Sequence, residues 1–297
     1  MVSDGHEEDY RPVVQDVAAT QTLPHTGIEI IRPLALSRPP QHVLFDFDGT
    51  LSLIREGWPE VMVPLMVETL WATGTSESPA ALHSLCSDFV TALTGKQTIY
   101  QMIRLAEEVA KRGGRPEDPL VYKQRYLDRL MERIADRREG LRSKRIAPQE
   151  MVVPYSLELL DALKQRGVVL YVASGTDEPF VIEEVCLLGM DRYFGPHVYG
   201  ARDDYKSSSK AQVIERILKT NQLEGASLLG FGDGYVEIQN VKAVGGTAVA
   251  VASDEAARSG RPDPWKRDRL IGAGADIVIP DFRDYRPLLD YLWNTSG

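Results

Sequence analysis

The sequence predicts an α/β protein with a mostly parallel sheet covered by helices on both faces and an all-helical insertion. From Pro154 onward, apolar runs of strand length alternate with helical segments, the rhythm that builds parallel sheets. Between Pro59 and Glu139, apolar residues instead recur at helical spacing with no convincing strand. Residues capable of chemistry stand at several strand ends, where open α/β sheets bind ligands.

In chain order, residues 1–40 hold scattered prolines (Pro12, Pro24, Pro33, Pro39, Pro40), the acidic run Glu7-Glu8-Asp9 and no sustained apolar period. They predict an extension, mobile or draped over the core. A short buried strand follows at 43–47. The insertion is marked by Val61, Leu65 and Leu70, then Leu82, Leu85, Phe89 and Leu93, then Tyr122, Tyr126, Leu130 and Ile134, which gives four or more helices. The division expected is therefore an extension at 1–40, a core at 41–55 and 150–297, and a helical insertion at 56–149.

Pro154 opens a helix through Leu157, Leu160 and Leu163 that Gly167 ends, and a strand at 168–173 follows. The pattern continues with a helix at 178–188, a strand near 197–199, a helix at 210–219 and a strand at 227–231. A helix near 236–244, strands at 247–251 and 277–279, and a final helix through Leu288 and Leu292 complete it. Trp265-Lys266-Arg267 reads as part of an amphipathic helix that packs near the last strand. No repeat of fixed period is present.

At 297 residues and 43% hydrophobic content, the chain can bury one large core or two smaller ones. A formal charge of −9 argues against general nucleic-acid binding. The charge is uneven, because residues 96–145 hold 14 basic against 8 acidic residues, an excess able to draw an anionic substrate inward. The two cysteines, Cys86 and Cys186, lie far apart in apolar helical contexts, so neither a disulfide framework nor a thiolate metal site is expected and the setting is reducing and cytoplasmic. No apolar run approaches the roughly 18 residues that span a bilayer, and the N-terminus is unlike a secretory signal. The expectation is a soluble, unexported protein that binds neither nucleic acid nor membrane.

Four motifs carry the chemistry. In Asp46-Phe47-Asp48-Gly49-Thr50, an apolar strand stops at a glycine with two carboxylates on the same side of its end. Carboxylates so close resist desolvation unless a cation or shared proton compensates, which points to a metal site, acid/base work, or both. Ser174-Gly175-Thr176 places a hydroxyl beside a glycine where a strand gives way to a helix, a phosphate cradle. Lys206-Ser207-Ser208-Ser209-Lys210 puts lysines at a helix start, where an extra positive charge suits an anion, and Lys210 is the better placed. Gly232-Asp233-Gly234-Tyr235-Val236-Glu237 ends another strand with two carboxylates one helical turn apart.

In this order, the four motifs resemble those of the haloacid dehalogenase superfamily of aspartate-nucleophile hydrolases, over about residues 41–290. The resemblance implies a Rossmann-like sheet, and the insertion between the first two motifs looks like the helical type-1 cap of the phosphatase and phosphomutase branch. By the same resemblance, Asp46 is the nucleophile that forms an aspartyl-phosphate, and Asp48 is the general acid/base. Mg²⁺ is held by Asp46, Asp233 and the Asp48 carbonyl, with Glu237 as an outer or water-mediated partner. Ser174, Gly175 and Lys210 hold the phosphoryl oxygens. Asp48 favours phosphoryl transfer, because dehalogenases of this family lack a carboxylate there. Substrate selection falls to the loop Gly95-Lys96-Gln97-Thr98, with Lys96 and Gln97 as candidates, and to Arg55. The resemblance implies a phosphatase for a small phosphorylated metabolite, with a sugar phosphate as the expected class. A phosphomutase and a non-catalytic phosphometabolite-binding protein remain as alternatives.

Overall fold

The computed structural model describes residues 12–13, 20–34, 39–202 and 209–294. In chain order these form β1 (Gln21–Thr22), β2 (Glu29–Ile30) and β3 (His42–Phe45), then the helices α1 (Pro59–Trp71), α2 (Pro79–Ala92), α3 (Thr98–Lys111), α4 (Pro119–Arg133) and α5 (Ala135–Arg142). After these come α6 (Ser156–Gln165), β4 (Val169–Asp177), α7 (Glu178–Leu187), α8 (Asp191–Phe194), β5 (Val198–Ala201) and α9 (Lys210–Asn221). The chain closes with β6 (Leu228–Gly232), α10 (Tyr235–Ala243), β7 (Thr247–Val251), α11 (Pro264–Gly272), β8 (Ile277–Ile279) and α12 (Tyr285–Asn294).

The sheet has the order β1-β2-β8-β7-β6-β3-β4-β5, parallel from β8 to β5, with β1 and β2 added antiparallel at one edge. This is the mostly parallel sheet that the alternating pattern predicts and the Rossmann-like one that the resemblance implies. Side chains alternate between its faces. Val43, Phe45, Val172 and Phe231 join one cluster with α6, α7, α8, α12 and the helical insertion, while Leu44, Tyr171, Leu228 and Ala248 pack against α9, α10 and α11. Phe45 stacks on Phe231 with ring centroids 4.9 Å apart.

Boundaries differ from the sequence reading in two places. The helix expected from Pro154 begins at Ser156, because Tyr155 is left-handed at φ 65°. The strand expected at 168–173 runs on to Asp177 with a register shift after Ala173, so Ser174-Gly175-Thr176 lies on an irregular strand end.

Residues 20–34, assigned from sequence to a mobile or draped extension, contribute β1 and β2. Glu29 pairs with Val278 across the sheet edge, and Ile28 is buried. The basic excess at 96–145 is largely matched locally. Arg112 pairs with Glu77 and Glu108, Arg129 with Glu68, Arg133 with Glu60, and Arg138 and Arg142 with Glu183. Cys86 is buried and Cys186 exposed, both unpaired. No described helix is long and apolar enough to cross a membrane.

Arg267 of α11 clasps Glu29 of β2 at 2.6–3.1 Å. The guanidinium outweighs burial and, with Thr20, holds the Glu29 carboxyl below the usual range. A depressed carboxyl stabilises the fold above its unfolded-state pKa and stops doing so as pH falls through its folded value. Glu29→Gln is therefore expected to lower stability by about 0.5–1 kcal/mol near neutral pH, the modest worth of a partly solvated pair. Urea melts should show that difference closing as the solution is acidified below the carboxylate range.

Candidate active site

β3 lies between β4 and β6 in one register, with Phe45 opposite both Val172 and Phe231. The loops after these strands therefore meet where strand order reverses, the crevice in which such sheets bind ligands. Asp46 follows β3 directly, and its N–H donates to the Phe231 carbonyl at 2.9 Å. Gly49 has φ 75°, and a Cβ there would lie 2.2 Å from Asp233 Oδ2, so the first motif needs glycine for both backbone and space. The Thr50 hydroxyl donates to Asp233 Oδ1 at 3.1 Å and accepts the Asp233 N–H at 3.0 Å, fastening the first motif to the last.

Asp46 is buried, and its Oδ1 accepts the Phe47 N–H at 2.7 Å and faces Lys210 Nζ at 3.1 Å. Burial pushes its carboxyl up to about 6; Lys210 opposes the shift, and the neighbouring Asp233 and Asp48 add to it. Lys210 is the first residue of α9, behind a Ser209–Gln212 capping box, and it also ion-pairs with Glu237. Asp48 Oδ2 accepts from Thr176 Oγ1 at 2.8 Å and Ser174 Oγ at 3.3 Å. Its Oδ1 is buried and accepts no hydrogen bond among the described residues, with Arg55 Nε 3.8 Å away.

Of the residues singled out from sequence, Asp46, Asp48, Ser174, Gly175, Lys210 and Asp233 line one cavity of about 100 Å³, together with Arg55 and Lys96. Glu237 stands behind Lys210. Gln97 is buried at the N-cap of α3, while its neighbour Thr98 lines the cavity. Lys206 lies outside the described residues. The helical insertion closes the cavity with Trp58, Met62 and Tyr126. Its loop packs backbone to backbone on the core: a Cβ on Gly175 would lie 3.1 Å from the Lys96 carbonyl, and one on Gly234 would lie 2.9 Å from Gly95 Cα.

Two parts of the site went unread in the sequence. Thr176 is the shorter hydrogen bond to Asp48, although Ser174 drew attention. Lys266, expected only to pack, instead reaches in from α11 and bonds Asp233 Oδ2 at 2.9 Å and Glu255 Oε1 at 2.6 Å. Burial works against its charge, but Asp233 and Glu255 prevail and hold its pKa above the usual lysine value. The available signal was Ser253-Asp254-Glu255, which follows β7 as the other motifs follow their strands.

The donor set suits a hard divalent cation. Asp46 and Asp233 offer carboxylate oxygens to one cavity, and positive charge would offset the burial and the neighbouring carboxylates that raise Asp46. Among the described residues, no group of three or more His, Cys, Asp or Glu side chains forms a ready cage. Mg²⁺ takes one or two carboxylates and completes its shell with water and substrate phosphate.

These carboxylates, the lysine and the hydroxyl gather at the switch point of a parallel α/β sheet, where such folds bind ligands. Residues 40–245 match the family model for haloacid dehalogenase-like hydrolases, and the chain belongs to that family. No curated protein matches it. Among solved structures, it is similar to a predicted phosphoglycolate phosphatase from Haemophilus somnus 129PT (17% identity, 84% of this chain and 97% of that one, TM-score 0.54). It is also similar to a β-phosphoglucomutase from Clostridium difficile (12% identity, 86% and 97%, TM-score 0.56). A third is a HAD family hydrolase from Deinococcus radiodurans R1 solved with bound phosphate and sodium (17% identity, 86% and 96%, TM-score 0.52). At these identities the likeness is one of fold.

Arg55 bonds Glu184 through Nε at 3.0 Å and Nη2 at 2.8 Å, both side chains being buried. Arg55→Met strands the Glu184 charge and is expected to destabilise the protein by about 3 kcal/mol, whereas Arg55→Met combined with Glu184→Leu should recover most of that loss. Urea unfolding of the three proteins checks this; a single mutant as stable as the native protein would show that the pair is not structural.

Proposed function

We propose that this protein is a Mg²⁺-dependent phosphatase that hydrolyses a small phosphorylated metabolite through an aspartyl-phosphate on Asp46. The observation that carries the reading is the division of labour between two adjacent carboxylates. Asp46 is buried against the Lys210 ammonium, and Asp48 is held by two hydroxyls in the same cavity. A buried carboxylate beside a lysine and a hydrogen-bonded carboxylate in the same cavity support the roles of nucleophile and proton carrier.

In the first step an Asp46 carboxylate oxygen bonds to phosphorus while the bond from phosphorus to the leaving oxygen breaks, and Asp48 gives that oxygen its proton. In the second, Asp48 takes a proton from water as the water oxygen bonds to phosphorus and the Asp46–phosphorus bond breaks. This regenerates both side chains and releases phosphate. Lys210, the Ser174 hydroxyl and the Gly175 N–H meet the charge on the phosphoryl oxygens. Thr176 and Ser174 hold Asp48 Oδ2, which leaves Oδ1 as the oxygen that carries the proton. Bound between Asp46, Asp233 and the Asp48 carbonyl, Mg²⁺ would supply charge neutralisation for the approach of one anion to another.

A sugar phosphate is the substrate class we propose, because the polar residues Thr98, Gln101 and Lys96 line the cavity from the side of the helical insertion. A reducing, cytoplasmic setting accords with the unpaired Cys86 and Cys186.

Phosphate release from a panel of sugar phosphates, nucleotides and phosphoglycolate, with Mg²⁺ or chelator, tests the reading. Asp46→Asn should abolish Mg²⁺-dependent release by at least roughly 10³-fold, and Asp48→Asn should slow it by about 10²–10⁴-fold. An Asp46→Asn protein that turns over normally would sink the mechanism. Release that depends on an added sugar bisphosphate would favour a phosphomutase instead.

A further inference from the structure

Lys266 is a buried charge to which the chemistry above gives no part. Its side chain is 13% exposed, and its ammonium donates to Asp233 Oδ2 at 2.9 Å, Glu255 Oε1 at 2.6 Å and Ser253 Oγ at 3.2 Å. These three bonds use all three of its N–H donors. Ser253 in turn donates to the Gly49 carbonyl at 2.7 Å, so the ammonium is braced against the first motif as well. A fixed positive charge thus sits directly on one of the two carboxylates that would hold the divalent ion.

We propose that Lys266 is a tethered counter-cation that competes with the divalent ion for Asp233, so that the site takes up Mg²⁺ weakly until a phosphate group arrives. The proposal rests on the Mg²⁺-dependent reading of the site. An ion on the Asp233 carboxylate would stand roughly 4–5 Å from the ammonium, given Mg–O bonds of about 2.1 Å. Repulsion at that range, inside a site shielded from water, is strong. Asp233 does not need Lys266 for its orientation, since Thr50 holds it through Oδ1 and through its own N–H. Removing the ammonium therefore removes mainly charge.

Glu255 acts in the opposite sense. It shares the ammonium with Asp233, and without it the whole charge falls on Asp233. A bound phosphate supplies negative charge on the far side of the ion and offsets the repulsion from Lys266. Mg²⁺ and phosphate then strengthen each other's binding reciprocally. Product release reverses the exchange: once phosphate leaves, the ammonium helps to expel the ion.

Calorimetric titration with Mg²⁺ alone, and with Mg²⁺ in the presence of inorganic phosphate, tests this on the full-length native, Lys266→Met and Glu255→Gln proteins. Lys266→Met should bind Mg²⁺ alone about tenfold or more tightly than native, and Glu255→Gln severalfold more weakly. Phosphate should strengthen Mg²⁺ binding more in the native protein than in Lys266→Met. Lys266→Gln, which keeps donors but no charge, should shift affinity in the same direction as Lys266→Met and serves if that variant does not fold. A lysine that merely braces the loops would make both the Lys266 and Glu255 variants bind more weakly, and that result overturns the proposal, as does unchanged affinity in Lys266→Met. Asp233→Asn separates the two levels. If it leaves Mg²⁺ binding intact, the cation is not at this site and the underlying reading fails. If it abolishes binding while Lys266→Met gives no gain, the Lys266 assignment alone fails.

Discussion

Everything at the cavity follows from carboxylates crowded into a site sheltered from water. Asp46, Asp48, Asp233, Glu237, Glu184 and Glu255 gather around the ends of β3, β4, β6 and β7 and the neighbouring helices. The described structure answers them with Lys210, Lys266 and Arg55. Each cation is shared between two acids: Lys210 between Asp46 and Glu237, Lys266 between Asp233 and Glu255, and Arg55 between Glu184 and Asp48. With Lys96, which lines the same cavity, four positive charges face these six carboxylates and leave the cluster under-neutralised. Burial is the main reason that the Asp46 carboxyl is raised, and Asp233 and Asp48 add to the shift against the opposing pull of Lys210. An anionic phosphate would be repelled by such a cluster unless further positive charge came with it, which is the physical case for a divalent ion.

The crowding is sustained by the sheet beneath it. β3, β4 and β6 run in register, so the residues that follow Phe45, Val172 and Phe231 emerge at one level. A slip of one residue in any of the three would turn its reactive side chain to the other face. The stack of Phe45 on Phe231, with Phe194 and Phe282 at its edges, resists such a slip by filling one face with rings that fit only in this register. The hydrophobic packing below the strand ends therefore holds the charge arrangement above them.

The same distinction explains what the sequence made legible. Strand and helix alternation after Pro154 and the helical period of the insertion are local patterns written in apolar residues, and both survive in the structure to within a few residues. The residues at strand ends were legible because a strand end with a glycine limits where its side chains can point, as Asp46-Phe47-Asp48-Gly49 shows. Lys266 was not legible, because it sits within an amphipathic helix among other charges and only tertiary packing of α11 against β7 directs it inward. The pairing of β2 with β8 was hidden for a related reason: two-residue strands between prolines carry no period, and the contact joins residues almost 250 positions apart.

Charge counted along the chain misled where charge counted in space does not. The basic stretch at 96–145 suggests a field that gathers anions, yet most of its arginines pair with glutamates, and exposed pairs of this kind contribute little and are screened by salt. The protein as a whole is acidic, at −9. Under the proposed function, attraction of a phosphorylated substrate would act at short range, inside the cavity, through Lys210, Lys96 and the divalent ion. On the proposed reading, such a site would favour its substrate at contact rather than from a distance. Selectivity for phosphate would then follow from the same deficit of positive charge, because a ligand that brings negative charge next to the ion would hold the ion in place.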